Sequence, residues 1–363
     1  MSFKIIGQER AVDLLQRSLK NGTHAHAYLF VGPAHVGKMA LALNLAQALN
    51  CEDADAPCGQ CPSCQRIASG IHADVQTIVL PEGDSAENES RTKISVDQIE
   101  ALQHSANLPP FEGKYKVFII DEADTFSIGA ANRMLKTLEE PVARVVFILL
   151  TSNERRLPAT VISRCQRVEL LPLAVAKIEA ALSKNWGIDP ANATLLARLS
   201  RGCPGWAVSA ATNDNLLQQR TERLDELMTI IGGDYETRFD YVARWAASLQ
   251  KKDSEQSHPA SNTGRRLMQE RLDMWTDWWR DLLLVKTGAG DTVTNIDRLP
   301  WLTDLARSHS LAQIRGVINS IQAAGNQLLQ NANPQLVLEV LMLSLPETGK
   351  QGNKKAVTQF MVN

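Results

Sequence analysis

Short apolar runs alternate with longer helix-period segments over the first 172 residues of the chain. Each run is continuous and rich in β-branched residues, as expected of a parallel sheet covered on both faces. The intervening segments have the length and periodicity of helices. The pattern predicts an α/β fold whose strands lie at 27–32, 75–80, 116–120, 145–151 and 167–171.

From about residue 173 the strand patterns stop and every segment has helical character. The predicted helices lie at 174–184, 190–200, 205–211 and 214–232, with longer ones up to 345. The residues from 347 onward have the composition of a flexible tail. We therefore expect an α/β domain over 1–172, a small helical domain over 173–212, an all-helical domain over 213–346 and a tail over 347–363.

Composition excludes some classes of function but does not indicate a particular one. The 363 residues are 44% apolar and carry a formal net charge of −2, so no overall basic field favours nucleic acid. Contact with nucleic acid would need a local patch or a partner chain. No apolar run approaches the roughly 18 residues of a membrane span. We expect a soluble, cytoplasmic protein with no membrane partner.

A glycine-rich segment, GPAHVGKM at 32–39, follows the first predicted strand and opens a helical run. Gly32 and Gly37 allow the tight backbone that directs N–H groups at phosphate, and Lys38 would reach the terminal phosphates. The next position should hold a hydroxyl for Mg²⁺, but Met39 offers only a soft thioether. The segment predicts a phosphate loop that is poorly equipped for metal-assisted hydrolysis.

An acidic pair ends the third predicted strand, in VFIIDEAD at 117–124. Asp121 would hold Mg²⁺ and Glu122 would orient an attacking water. The alternative is that both acids only cap the following helix. The phosphate loop earlier in the chain favours the nucleotide-site interpretation.

Polar residues also end the fourth predicted strand, in LLTSN at 149–153. Ligands of parallel sheets bind at this end of the strands. Thr151, Ser152 or Asn153 could contact a γ-phosphate, and Asn153 is our candidate. A strand that simply ends in turn-forming residues is an equal alternative.

Four of the six cysteines fall within fourteen residues, as Cys51, Cys58, Cys61 and Cys64. Close pairs around PCGQC let thiolates converge on a tetrahedral ion, and four protein ligands leave no open position for catalysis. The spacing predicts a structural Zn²⁺ site. Unligated core cysteines or a redox pair are the alternatives.

Several motifs together resemble bacterial clamp-loader subunits of the AAA+ superfamily. They are HAYLFVGPAHVGK, the four-cysteine insertion, VFIIDEAD, NRMLKTLEEP, LLTSN, LPATVISRCQ and the C-terminal QLLQNANPQLVLEVLMLSL. The resemblance thus spans nearly the whole chain. Within the family it is strongest to the delta-prime type of DNA polymerase III subunit.

The resemblance implies an architecture, a set of partners and one further site residue. Residues 1–172 would be the AAA+ domain with its zinc module, 173–212 a helical lid, and 213–346 the collar through which subunits associate. Arg164 matches the arginine finger that reaches the γ-phosphate bound by a neighbouring subunit. The partners would be other subunits in a pentameric ring and, through that ring, a sliding clamp and primed DNA.

The chain departs from the ATP-binding members of this family at three positions. His35 replaces a glycine, so we expect the loop to lose a backbone conformation that glycine takes easily. Met39 replaces a serine or threonine, and Trp206 stands where a phosphate-binding arginine is expected. We therefore expect weak or absent ATP and Mg²⁺ binding and no independent ATPase activity.

Two other functions stay open at this point. The retained Asp121 and Glu122 are compatible with an ATP-hydrolysing motor subunit of the same loader. The cysteines are compatible with a zinc-containing nucleic-acid-binding regulator. Trp275, Trp278 and Trp279 share a helix face that could stack bases, but the acidic residues between them favour core or interface packing.

Overall fold

The computed structural model describes residues 3–80, 93–254, 262–330 and 332–346. The predicted tail at 347–363 lies outside the described residues. The chain divides into two compact units, Met1–Ser209 and Ala210–Asn363. The finer boundaries expected at 172 and 212 stay predictions. None of the described helices is long and apolar enough to cross a membrane.

The first unit is built on a five-stranded parallel sheet with the strand order β2-β3-β4-β1-β5. The strands are β1 Ala27–Val31, β2 Val75–Ile78, β3 Lys116–Ile120, β4 Val145–Thr151 and β5 Gln166–Glu169. All five predicted strands are confirmed. β1 ends one residue early, and the strands β2 and β5 are also shorter than expected. Both lie at sheet edges, where fewer neighbouring strands extend the pairing.

Helices cover this sheet and continue past it, and the last of them, α9, crosses the boundary between the two units. They are α1 Glu9–Lys20, α2 Lys38–Asn50, α3 Pro62–Ala68, α4 Val96–Ala106, α5 Ile128–Glu139, α6 Ala159–Ile162, α7 Val175–Trp186, α8 Pro190–Leu199 and α9 Pro204–Thr212. Single 3₁₀ turns follow β3 and β4, at Ala123–Thr125 and Glu154–Arg156.

Alternate residues of the central strands enter two separate cores. Tyr28 and Phe30 of β1 pack on one face with Leu41 of α2. Leu29 packs on the other face with Met134 of α5. Every residue of β1, β3 and β4 is buried, which explains the continuous apolar runs in the sequence.

The second unit is entirely helical in its described residues. Its helices are α10 Asp214–Gly232, α11 Tyr235–Ser254, α12 Asn262–Lys286, α13 Leu299–Ser308, α14 Leu311–Leu329 and α15 Pro334–Ser344. Two 3₁₀ turns, Gly290–Thr292 and Ile296–Arg298, connect α12 to α13. The expected all-helical C-terminal region is confirmed.

The tryptophans of α12 form the centre of this helical core. Trp275, Trp278 and Trp279 are each at most 1% exposed and pack with residues of α10, α13 and α14. Base stacking by these rings is therefore excluded, and the core-packing interpretation is confirmed. Buried Arg238 of α11 adds polar cross-links by donating to the carbonyls of Ile230 at 3.1 Å and Leu345 at 2.9 Å.

Candidate functional site

The phosphate loop lies between β1 and α2, at the carboxyl edge of the sheet. Gly37 precedes α2 with a φ of 110°, which favours glycine. His35 also has a left-handed backbone, with a φ of 60°. The expected loss of this conformation is therefore wrong: histidine adopts it, at the strain that a side chain imposes there.

Lys38 turns back onto the loop that carries it. Its Nζ donates to the carbonyls of Gly32 at 2.8 Å and Pro33 at 2.9 Å, and lies 3.4 Å from Ser152 Oγ. The residue is 8% exposed. Burial lowers the pKa of Lys38, and the nearby Asp121 carboxylate opposes that shift. The amine that would bind terminal phosphates is thus held by main-chain oxygens.

Met39 contributes to packing in this structure. Its side chain is half-buried against the apolar core between the sheet and α2. A thioether in that position supplies no hard oxygen ligand for Mg²⁺.

The acidic pair follows β3, as predicted. Asp121 Oδ1 accepts the backbone N–H of Glu122 at 2.8 Å. Glu122 has a φ of 47° and makes no side-chain capping bond to the next turn. Because β1, β3 and β4 are parallel, the acids and the phosphate loop lie along the same edge of the sheet.

The polar residues after β4 have three different roles. Thr151 is buried, donates to Asp124 Oδ1 at 2.8 Å and accepts the Asn153 N–H at 3.0 Å. Ser152 lies near Lys38. The Asn153 side chain accepts the Arg155 N–H at 3.2 Å and so caps the following turn. This placement leaves Asn153 with a structural task.

The segment that contains Trp206 begins against the phosphate loop. The N–H of Gly205 donates to the His35 carbonyl at 2.9 Å. A Cβ at Gly205 would lie 2.8 Å from the same oxygen, so only glycine permits this approach. Trp206 follows directly and is half-buried. Its indole cannot neutralise phosphate charge as the expected arginine would.

Arg164 lies at the opposite edge of the sheet from this loop. It follows α6 and precedes β5, which is parallel to β1, so it lies at the amino ends of the strands, whereas the phosphate loop lies at their carboxyl ends. The length of β5, about 13 Å at ~3.3 Å per residue, separates the two ends. Its Nη1 donates to the Thr160 carbonyl at 2.9 Å, and its Nη2 lies 2.6 Å from Glu139 Oε1. The side chain is 34% exposed. Arg164 therefore faces away from the phosphate loop of its own chain.

The four cysteines converge between α2 and α3. All four Sγ atoms of Cys51, Cys58, Cys61 and Cys64 lie within 4.8 Å of one another. The Cys51 and Cys61 sulfurs are 3.9 Å apart. A Zn–S distance of about 2.3 Å gives sulfurs about 3.8 Å apart around a tetrahedral ion. The cluster thus has the size and donor set of a four-thiolate metal site.

The thiols of the cluster differ in their surroundings. The N–H groups of Gln60 and Cys61 point at Cys58 Sγ and lower the pKa of that thiol to about 7. Burial raises the pKa of Cys64 to about 12. Lys114 Nζ donates to the Cys51 carbonyl at 2.5 Å and places a cation beside the cluster. A bound cation would favour deprotonation of the remaining thiols.

Two contacts of this unit escaped the sequence patterns. Asp74 is buried and accepts three backbone N–H groups, from Phe111, Glu112 and Gly113, at 2.7–2.8 Å. Glu139, within the LEEP segment, pairs with Arg164. The partners lie far apart in the sequence, and nothing in the local sequence marks them.

Comparisons with known proteins agree across both units. Residues 7–174 match the family model described as DNA polymerase III, delta subunit, and residues 237–347 match the model described as the C-terminal part of that delta subunit. The delta' subunit of Bacillus subtilis DNA polymerase III is 30% identical over 94% of this chain and 96% of its own length.

Two further similarities extend along most of the chain. The tau subunit of Bacillus subtilis DNA polymerase III is 29% identical over 96% of this chain, which spans 62% of that relative's length. A DNA polymerase III gamma subunit-related protein from Thermotoga maritima has a solved structure with 17% identity and a TM-score of 0.45. That match covers 92% of this chain and 97% of the other.

Proposed function

Because this chain belongs to the delta-prime family of DNA polymerase III clamp-loader subunits, we propose that it is a structural member of the loader. In this proposal it does not hydrolyse ATP itself. It contributes Arg164 to the active site of a neighbouring subunit, where ATP turnover drives clamp loading.

The arrangement at Lys38 carries the first half of this proposal. An active phosphate loop needs its lysine available to the β- and γ-phosphates and a hydroxyl for Mg²⁺. Here the amine is bonded to two carbonyls of its own loop, and Met39 packs into the core. ATP binding would have to break buried hydrogen bonds and still lack a Mg²⁺ ligand.

The position of Arg164 supports the second half. It lies on the exposed amino edge of the sheet, so its guanidinium is accessible to a partner and remote from its own phosphate loop. A guanidinium supplied in trans stabilises the charge that develops on the transferred phosphoryl group. We assign Arg164 this role toward the adjacent subunit.

We assign the partners on the same basis. The chain would occupy one position in a pentameric ring of related subunits, through its C-terminal helical unit. The ring would open a sliding clamp and place it on primed DNA. The protein would act in the cytoplasm with the replication machinery.

We assign the four-cysteine cluster to structural Zn²⁺. Four thiolates with near-tetrahedral spacing favour Zn²⁺ over hard cations, which prefer oxygen ligands. Cys51, Cys58, Cys61 and Cys64 would hold the ion and leave no open coordination position. The ion would tie α3 and the loop before it to the end of α2.

A motor subunit of the same loader is the competing function. The acids after β3 favour it, since Asp121 and Glu122 occupy the edge of the sheet where Mg²⁺ and water would bind. Such a subunit would bind ATP tightly in the presence of Mg²⁺ even without its partners, whereas a structural subunit would not.

Alanine substitution of Arg164 tests the proposal in the assembled loader. We expect Arg164→Ala to lower turnover at the neighbouring site by about 10³-fold or more. The measurement is DNA-stimulated ATP hydrolysis by the complete complex. Arg155→Ala, at another arginine of the same unit, is the matched control and should leave hydrolysis unchanged. Full activity of the Arg164→Ala complex would contradict the proposal.

A further inference from the structure

We propose that Glu139 is a positioning residue for Arg164: its carboxylate fixes the guanidinium in the orientation that the neighbouring active site requires. This inference rests on the proposed role of Arg164 as a finger in trans. It adds a second residue of this chain to the machinery that serves the neighbour's ATP.

Two anchors from different helices hold the guanidinium. Glu139 Oε1 lies 2.6 Å from Nη2, and the Thr160 carbonyl accepts Nη1 at 2.9 Å. Glu139 ends α5 and Thr160 lies in α6, so the two contacts constrain the guanidinium from two sides. Charge-assisted bonds of this length are strong and directional. These contacts favour one orientation of a long side chain that would otherwise sample several rotamers.

The location of Glu139 is electrostatically unfavourable for α5 itself. It is the last residue of the helix, where the helix dipole and the unpaired carbonyls disfavour a negative charge. Glu139 is also 49% exposed, and exposed ion pairs contribute little to folding stability. The helix α5 does not stabilise a carboxylate at this position, and the favourable contact of that carboxylate is the one with Arg164.

The pair leaves the guanidinium able to bind phosphate. Arginine has five N–H donors; Glu139 and Thr160 occupy two of them, and Nη1 also lies 3.4 Å from Ser163 Oγ, which leaves at least two donors available. Nε of Arg164 has no hydrogen-bond partner among the described residues. A γ-phosphate oxygen can therefore bind a free edge of the guanidinium while Glu139 keeps its contact.

A fixed guanidinium accelerates the reaction because its orientation is set before ATP reacts. Preorganised charge stabilises the transition state without reorganisation, and a displacement of about 1 Å can cost roughly 10²-fold in rate. Removal of Glu139 leaves the charge of Arg164 in place but frees its rotamers. The expected loss is therefore smaller than that of removing Arg164.

Steady-state ATP hydrolysis by the complete loader tests this inference with four variants of this subunit, measured beside the single Arg164→Ala variant. We expect Glu139→Ala to lower kcat about tenfold with an unchanged KM for ATP. Glu139→Gln keeps an acceptor oxygen and should lie between Glu139→Ala and the wild type. Glu140→Ala is the matched control, since it removes the same charge one residue later, and it should leave kcat unchanged.

The fourth variant combines Arg164→Ala with Glu139→Ala and should be no slower than Arg164→Ala alone, because Glu139 acts through Arg164. The thermal unfolding midpoint of Glu139→Ala should not fall below that of the wild type. A kcat of Glu139→Ala equal to that of Glu140→Ala, beside a slow Arg164→Ala complex, would overturn this inference alone. A fully active Arg164→Ala complex would overturn it together with the proposed function.

Discussion

At the phosphate loop, the sequence predicts which residues form the turn, but the direction of their side chains is seen only in the structure. The sequence correctly placed Gly32, Gly37 and Lys38 between a strand and a helix, because spacing and flanking periodicity are local properties. It could not give the direction of the Lys38 side chain, which depends on the carbonyls of Gly32 and Pro33. The same limit applies to Asn153, whose side chain caps a turn.

Asp74 allows a test at the level of a single residue, because its hydrogen-bond partners are distant in the sequence. Burial raises the pKa of Asp74, but the three N–H donors of 111–113 outweigh burial and hold that pKa below its usual value. Loss of the charge in Asp74→Asn weakens those bonds, and we expect it to lower the free energy of unfolding by about 2 kcal/mol at neutral pH.

The sign of the pH dependence follows from the lowered pKa. The stabilisation is complete above the unfolded-state pKa of about 3.9 and is lost as pH falls through the lower folded-state value. The free energy of unfolding of Asp74→Asn, measured in urea, should therefore approach that of the wild type as pH is lowered, within the range in which the wild type still folds. Asp13→Asn, on the exposed side of α1, is the control. A difference in the free energy of unfolding between the wild type and Asp74→Asn that grew on acidification would refute this explanation.

Elements were predicted well where one physical signal dominates. The buried strands β1, β3 and β4 read as continuous apolar runs, and β3 and β4 have the bounds expected. The edge strands β2 and β5 were predicted too long, since fewer neighbours limit their pairing. The cysteine element was predicted from spacing alone, because four thiolates within fourteen residues can converge without long-range information.

Metal removal tests the role of the four-cysteine cluster. If the ion ties α2 to α3, chelation should lower the thermal unfolding midpoint of the chain, since metal-binding energy contributes to folding. Elemental analysis should find one zinc per wild-type chain and substantially less in Cys58→Ser. Cys165→Ala, which alters a cysteine outside the cluster, should keep its zinc. Equal metal content in all three proteins would refute the assignment.

The whole molecule combines a phosphate-loop scaffold with a surface arginine, Arg164, to which we assign a role at the site of a neighbouring subunit. Resemblance across nearly the full chain predicted the family, and the matches to both parts of the delta subunit confirm it. Local sequence could not predict the pair of Glu139 with Arg164, since α5 and α6 approach only in the folded sheet. The division of labour that we propose between this chain and its neighbour depends on this tertiary placement.

Calorimetric titration of the isolated chain with ATP and Mg²⁺ tests the central claim most directly. With Lys38 bonded to its own loop and Met39 in the core, we predict no saturable binding up to about 1 mM ATP, equivalent to a binding free energy weaker than about −4 kcal/mol. Micromolar, Mg²⁺-dependent ATP binding would contradict the claim and identify the chain as a motor subunit.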